Sequence, residues 1–280
     1  MKLHVLCPHW GQESLPAAAF LGKALAEGYD GIEINLPPDP LFVRDLRREL
    51  AALRRERPWV LVSQCIVDPL PGEGLDAFLR RVRGRLEEAA SIGPDFINAH
   101  SGKDYFSFED NCRCLDLCRQ AAEESGIRVV HETHRGRFSF HAPALLPYLA
   151  RDPGLELAAD YSHFCVVSES LLEGQEDVLA QIAPRVAHLH ARVGCAQAPQ
   201  VADPFAPEWE GHLQRFGQWW QALVRMQAEA GKAAVTLTPE CGPAPYMPAL
   251  PFTRQPIGDA WAINARMMRH LRELLTPNPA

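Results

Sequence analysis

The stretch Gly126-Ile127-Arg128-Val129-Val130-His131-Glu132-Thr133-His134 contains the repeating unit of the fold. Gly126 closes a helix-like pattern over Asn111 to Ser125, the β-rich run after it reads as a buried strand, and that run stops in a polar cluster. Side chains alternate along a strand, so Glu132 and His134 share one face. His131 points to the other face and is expected to pack against helices. Arg135 and Arg137, just beyond, read either as rim charges or as contacts for an anion.

The unit recurs along all 280 residues. Strands are expected over Leu3 to Cys7, Gly31 to Asn35, Trp59 to Cys65, Asp95 to His100, Arg128 to Thr133, Leu155 to Tyr161, Val186 to Ala191 and Ala233 to Thr238. Between them, Pro16 to Glu27, Val43 to Arg57, Gly74 to Ser91 and Gln214 to Ala230 carry apolar residues at helical spacing, and Gly28, Gly93 and Gly231 suit helix ends. Eight β-then-α units without a break in composition predict an α/β fold, a (β/α)8 TIM barrel forming a single domain over residues 1–280. An open doubly wound sheet is the alternative. Its glycine-rich dinucleotide turn is missing, because Pro8-His9-Trp10-Gly11 follows the first strand. From about 193 to 214, Pro199, Pro204, Pro207 and Trp209 predict a long ordered loop, either a lid or a surface excursion.

A formal net charge of −7 supplies no basic field for a phosphate backbone, which argues against nucleic acid as a partner. The opening residues lack the apolar run of a signal peptide, and no segment approaches the roughly 18 apolar residues of a membrane span. A soluble cytoplasmic protein is expected, free of membrane partners and open to homo-oligomer formation. The eight cysteines do not pair by spacing and read as reduced core thiols. Cys112, Cys114 and Cys118 lie in a helical pattern without the chelating C-x-x-C spacing.

In such a barrel, chemistry collects where strands end. Five consecutive strands end in carboxylates or imidazoles: Asn98 to Gly102 with His100, Glu132 to His134, Asp160 to His163, His188 to His190, and Pro239-Glu240. His188 and His190 share a face, with His190 nearer the rim. Any one of these has an ordinary structural explanation. Several carboxylates crowded into one mouth raise each other's pKa unless a cation compensates, and mixed carboxylate and imidazole donors suit Mn, Co, Fe or Zn better than Ca.

With these ends in this order, the chain resembles the xylose isomerase-like TIM-barrel superfamily of sugar isomerases, ketose 3-epimerases and inosose dehydratases. The resemblance runs from Glu27-Gly28-Tyr29-Asp30-Gly31-Ile32-Glu33 to Thr238-Pro239-Glu240-Cys241-Gly242-Pro243. It implies one divalent metal ion (Mn, Co, Zn or Mg) held by Glu132, Asp160, His190 and Glu240, with His163 at the substrate or at a second metal. The epimerases carry an arginine a few residues beyond the strand 7 histidine; here Ala196 stands at the matching place and Arg192 lies closer. The DNA-repair branch of the superfamily needs further histidines. His100 resembles one of them, but Ser63-Gln64-Cys65 and Asp203-Pro204-Phe205 lack the others.

The resemblance implies an isomerase or epimerase acting on a ketose or keto-sugar through a metal-stabilised enediolate, with Glu132 and Glu240 as the acid-base pair. A lyase or dehydratase of a cyclitol or keto-sugar, or a non-catalytic sugar-binding barrel, would use the same residues differently. His100, His134 and Arg192 are further candidates to hold substrate, His134 equally as a residue orienting a ligand. Trp10 and Trp209 either wall a sugar face or simply pack.

Overall fold

Alternating apolar residues, interrupted by helix-length segments, fold here as the periodicity dictates. The computed structural model describes residues 1–276, so residues 277–280 of the expected domain lie outside it. Eight parallel strands, β1 (Lys2–Pro8), β2 (Gly31–Asn35), β3 (Val60–Ile66), β4 (Phe96–His100), β5 (Val129–Glu132), β6 (Leu157–Ala159), β7 (Val186–His190) and β8 (Ala234–Thr238), pair in sequence order. The barrel closes where Lys2 to Val5 of β1 meet Ala234 to Leu237 of β8. Around it lie α1 (Ala17–Glu27), α2 (Pro40–Glu56), α3 (Leu75–Ala90), α4 (Phe108–Ser125), α5 (Ala142–Arg151), α6 (Tyr161–Ser168), α7 (Glu176–Ile182), α8 (Glu210–Glu229) and α9 (Ala260–Leu275). The glycines expected at helix ends, 28, 93, 126 and 231, all take positive φ.

The boundaries differ from expectation where a side chain outweighs periodicity. The sixth strand stops at Ala159, not Tyr161, because the Asp160 carboxylate accepts from the Ser162 backbone N–H at 2.9 Å and starts α6. The last helical segment of the long loop likewise begins early. A 3-10 turn over Pro207–Trp209 leads straight into α8 at Glu210. Val193, Gln200 and Val201 of the remaining loop are buried.

The apolar side chains divide into two layers. The larger lies between sheet and helices. A second, small cluster of Leu6, Val62, Phe96, Val130 and Ala158 plugs the barrel interior. Register carries the pattern upward: Val62 pairs with Phe96, Gln64 with Asn98, and Ile66 with His100, so two residues above the apolar plug the interior turns polar. His131 has the opposite parity. It is buried on the helix side, with Nδ1 2.7 Å from Ser101 Oγ and its ring edge-on to Phe138. Arg137 is buried too, donating to the Val67 carbonyl at 2.9 Å and pairing with Asp68, so it ties the loop after β5 to the loop after β3. All eight cysteines are free, and burial pushes Cys114 up to about 12 and Cys118 up to about 11.

Two consequences can be measured. A Cβ at Gly31 would lie 2.2 Å from the Val60 carbonyl oxygen, a backbone atom that cannot rotate away. Gly31→Ala should therefore cost about 1–3 kcal/mol or more in a denaturant titration. Burial lowers His131 from 6.5 to about 4. Its folded pKa lies below the unfolded one, so its stabilising contribution is complete above pH 6.5 and lost as the pH falls towards 4, on the order of 3 kcal/mol. Equilibrium unfolding across that window should show the loss, and it should shrink in His131→Gln.

Candidate metal centre

The polar layer above the plug converges on His190. At the end of β7 its ring stands between two groups of carboxylates. Nε2 lies 3.0 and 3.1 Å from the two oxygens of Glu33, while Nδ1 lies 2.8 Å from Glu240 Oε2 and 3.5 Å from Glu132 Oε2. Burial opposes charging the imidazole, but Glu240, Glu33 and Glu132 outweigh it and raise its pKa well above the usual value.

Glu132, Asp160, His190 and Glu240 each place one donor atom within 4.8 Å of the others, and all four residues are buried. Asp160 is fixed from both ends. Its Oδ1 accepts from the Ser162 N–H and hydroxyl, its backbone exchanges hydrogen bonds with Thr133 Oγ1, and its Oδ2 accepts from Arg192 Nε at 3.0 Å and from Arg192 Nη2. Burial raises its pKa, against the opposing guanidinium. Arg192 Nη2 also reaches Glu240 Oε2 at 3.0 Å.

The donors fit a divalent cation. With metal-ligand distances of about 2.0–2.2 Å, donor atoms on one ion lie no more than roughly 4.4 Å apart, close to what is found. His190 Nδ1 and Glu240 Oε2 are buried and face each other at 2.8 Å, with the imidazole held charged between its carboxylates. A divalent cation in place of the Nδ1 proton would meet both atoms as ligands. Mixed carboxylate and imidazole donors suit a transition-metal ion or Mg.

Sequence reading gave no role to Glu33, which is 2% exposed inside the barrel. The signal was present in β2 itself, Gly-Ile-Glu-Ile-Asn: a lone carboxylate in the middle of a short strand buried on both faces. It neighbours the four-residue set without belonging to it, grouping instead with His188 and His190. Asn98 links the two groups, donating to Glu33 at 3.0 Å and to Glu132 at 2.9 Å.

A third grouping faces the opening. His100 Nε2 lies 2.8 Å from Glu132 Oε2, and the rings of His100, His134 and His163 pack in a row, tilted against one another, with centroids 4.6 and 3.9 Å apart. Burial, aided by the neighbouring imidazoles and Arg192, holds His134 and His163 well below their usual pKa. His100, His134, Arg192, Glu132 and Glu240 line a cavity of about 470 Å³, with Trp10 and Tyr246 among its aromatic walls. His163, expected at the substrate, is not on that wall. It is fully buried behind His134, with Nε2 3.0 Å from Arg192 Nη2, because the first turn of α6 carries it beneath the rim. Trp209 packs against the main core instead of the cavity.

Tyr246, in the long stretch between β8 and α9, was also missed. Its ring lies edge-on to Trp10 at 5.0 Å and under the Arg192 guanidinium at 4.8 Å. Trp10 in turn lies flush on Gly242, where an added Cβ would fall 2.1 Å from the indole. Gln200 holds that backbone by a double hydrogen bond, accepting from Gly242 N–H at 2.7 Å and donating to Gly242 C=O at 3.0 Å.

No family model matches the sequence, and no curated protein does. Solved structures do match, over nearly the whole chain. A D-tagatose 3-epimerase-like protein is 15% identical with a TM-score of 0.65, covering 98% of this chain and 97% of its own. A xylose isomerase-like TIM barrel protein from Mycobacterium smegmatis, in complex with magnesium, is 12% identical with a TM-score of 0.63, covering 98% and 96%. The probable 3-DHS dehydratase AsbF of petrobactin synthesis from Bacillus anthracis is 15% identical with a TM-score of 0.62, covering 97% and 98%. At these identities the likeness is one of architecture, and the architecture of this chain is that of the xylose isomerase-like TIM barrels.

Proposed function

We propose that the protein is a divalent-metal-dependent isomerase or epimerase of a ketose or keto-sugar that moves a proton at the carbon beside a carbonyl. The observation that carries the reading is the convergence of Glu132, Asp160, His190 and Glu240 at the floor of a cavity that the two glutamates also line. Fold neighbours described as an epimerase-like protein and as a magnesium complex support the same class.

A divalent ion in that set would act as a Lewis acid on a carbonyl and its neighbouring hydroxyl, making the C–H between them acidic. The protein's part is to take and return the proton. His100, Asn98 and His190 all approach Glu132 through Oε2, and His190 and Arg192 approach Glu240 through Oε2. Each glutamate thus keeps Oε1 for the cavity. One stands on β5 and the other follows β8, so they reach a substrate from different sides of the mouth, as an acid-base pair must if a proton is removed from one face and returned to the other. His100 orients Glu132. His134, His100, Arg192 and Trp10 all line the cavity, which supports reading them as contacts to the substrate, a small sugar or cyclitol, with His163 bracing His134 and Arg192 from behind.

With a panel of ketoses, metal-loaded protein in deuterated water should incorporate deuterium at the carbon beside the carbonyl. Glu132→Gln should lower that exchange by at least about 100-fold while the fold is kept; undiminished exchange would sink the assignment, and a product lighter by one water would transfer it to elimination. Arg192→Met removes a cation that touches two of the four donors. Stripped of metal, this variant should melt well below the wild type, and Mn should raise its melting temperature more than that of the wild type.

A further inference from the structure

Glu33 is the carboxylate for which the proposed proton transfer has no use, and it is the most heavily bonded one in the barrel. Five side-chain donors surround it: Gln64 Nε2 at 3.1 Å, Asn98 Nδ2 at 3.0 Å, His188 Nε2 at 3.2 Å, His190 Nε2 at 3.0 Å and Thr238 Oγ1 at 2.5 Å. These come from four strands, β3, β4, β7 twice and β8, and are as far as 205 residues away in sequence. A carboxylate with this many donors is held both ionised and immobile.

We infer that Glu33 is a positioning residue that fixes which nitrogen of His190 is free to bind metal. An imidazole that ligates through one nitrogen carries its proton on the other, and the acceptor beyond that proton sets the tautomer and the ring orientation. Glu33 accepts from Nε2, which leaves Nδ1, facing Glu132 and Glu240, as the nitrogen that would give up its proton to a metal. His188 completes the frame: its Nε2 faces the Glu33 carboxylate, which only accepts, and so carries a proton, while its Nδ1 lies 2.7 Å from the Thr236 hydroxyl, which can donate to it. The trio Glu33, His188 and His190 is therefore a hydrogen-bonded mount and not a second ion site, since both oxygens of Glu33 already face donors.

The inference rests on the metal reading of the four-residue set, and the test separates the two. Glu33→Gln preserves size but replaces one acceptor oxygen with an N–H2 group that must face other donors. Calorimetric titration of the full chain with Mn should give one site in the wild type and an affinity about 10–100-fold weaker in Glu33→Gln, with an unchanged circular dichroism spectrum. Glu33→Asp, which keeps the charge, should recover part of the loss. Equal affinity in wild type and Glu33→Gln would overturn the positioning role alone, as would a second Mn bound in the wild type and lost in the variant. A wild type that binds no divalent ion would remove the functional reading along with it. If Glu33→Gln does not fold, nitrogen-15 spectra of the Zn-loaded wild type decide. A His190 ring protonated at Nε2 and metal-bound at Nδ1 is the expected result, and ligation through Nε2 overturns the proposal.

Discussion

Four carboxylates share the upper interior of this barrel, and their mutual repulsion is the constraint from which most of the site follows. Two unit charges 4 Å apart interact by about 4 kcal/mol at an effective dielectric of 20, so Glu33, Glu132, Asp160 and Glu240 could not all remain charged and buried without cations between them. The chain supplies two at the centre. The His190 ring separates Glu33 from Glu132 and Glu240, and the Arg192 guanidinium spans Asp160 and Glu240. Their placement two residues apart is a consequence of strand alternation, which turns residues 188, 190 and 192 to the same side. A barrel with its interior filled by aliphatic layers to the rim would have no such requirement and no such chemistry.

That alternation also explains how much could be read from the sequence. Glu132, Asp160, His190 and Glu240 each sit at the end of an apolar run, where a polar residue is conspicuous, and the structure gathers the four together. Eight runs of the right length gave the closed barrel and its strand order directly. Glu33 was hidden because everything that makes it significant lies elsewhere in the chain: its partners are 31, 65, 155, 157 and 205 residues away. His163 was misplaced for a different reason. Sequence placed it three residues after Asp160 without showing that Asp160 caps a helix, and the helical turn takes the imidazole below the cavity wall. Tyr246 lies in a segment without periodicity, where no pattern assigns a direction to a side chain.

The stretch around Glu132 shows how finely adjacent residues are divided. His131 serves the packing between barrel and helices, Glu132 the charged interior, Thr133 the backbone of the next strand through Asp160, and His134 the cavity. Arg137, which could have been an anion contact, is committed to the Val67 carbonyl and Asp68, while Arg135 stays exposed with its guanidinium over Tyr246. Burial holds His131 neutral, and the same desolvation next to three carboxylates leaves His190 charged. Environment, not residue type, decides the outcome for each imidazole.

The donors to the charged cluster sit on strands, whereas the aromatic wall opposite them hangs on a single backbone junction. Trp10 rests on Gly242, and Gly242 is gripped by Gln200 from the loop after β7. That junction stands two residues beyond Glu240, so the wall of the cavity and one of the four clustered donors share a stretch of backbone. Insertions or replacements around residue 200 would therefore reshape the space within the cavity from the Trp10 side and, through Gly242, press first on Glu240, while Glu132 and His190 kept the places that their strands give them.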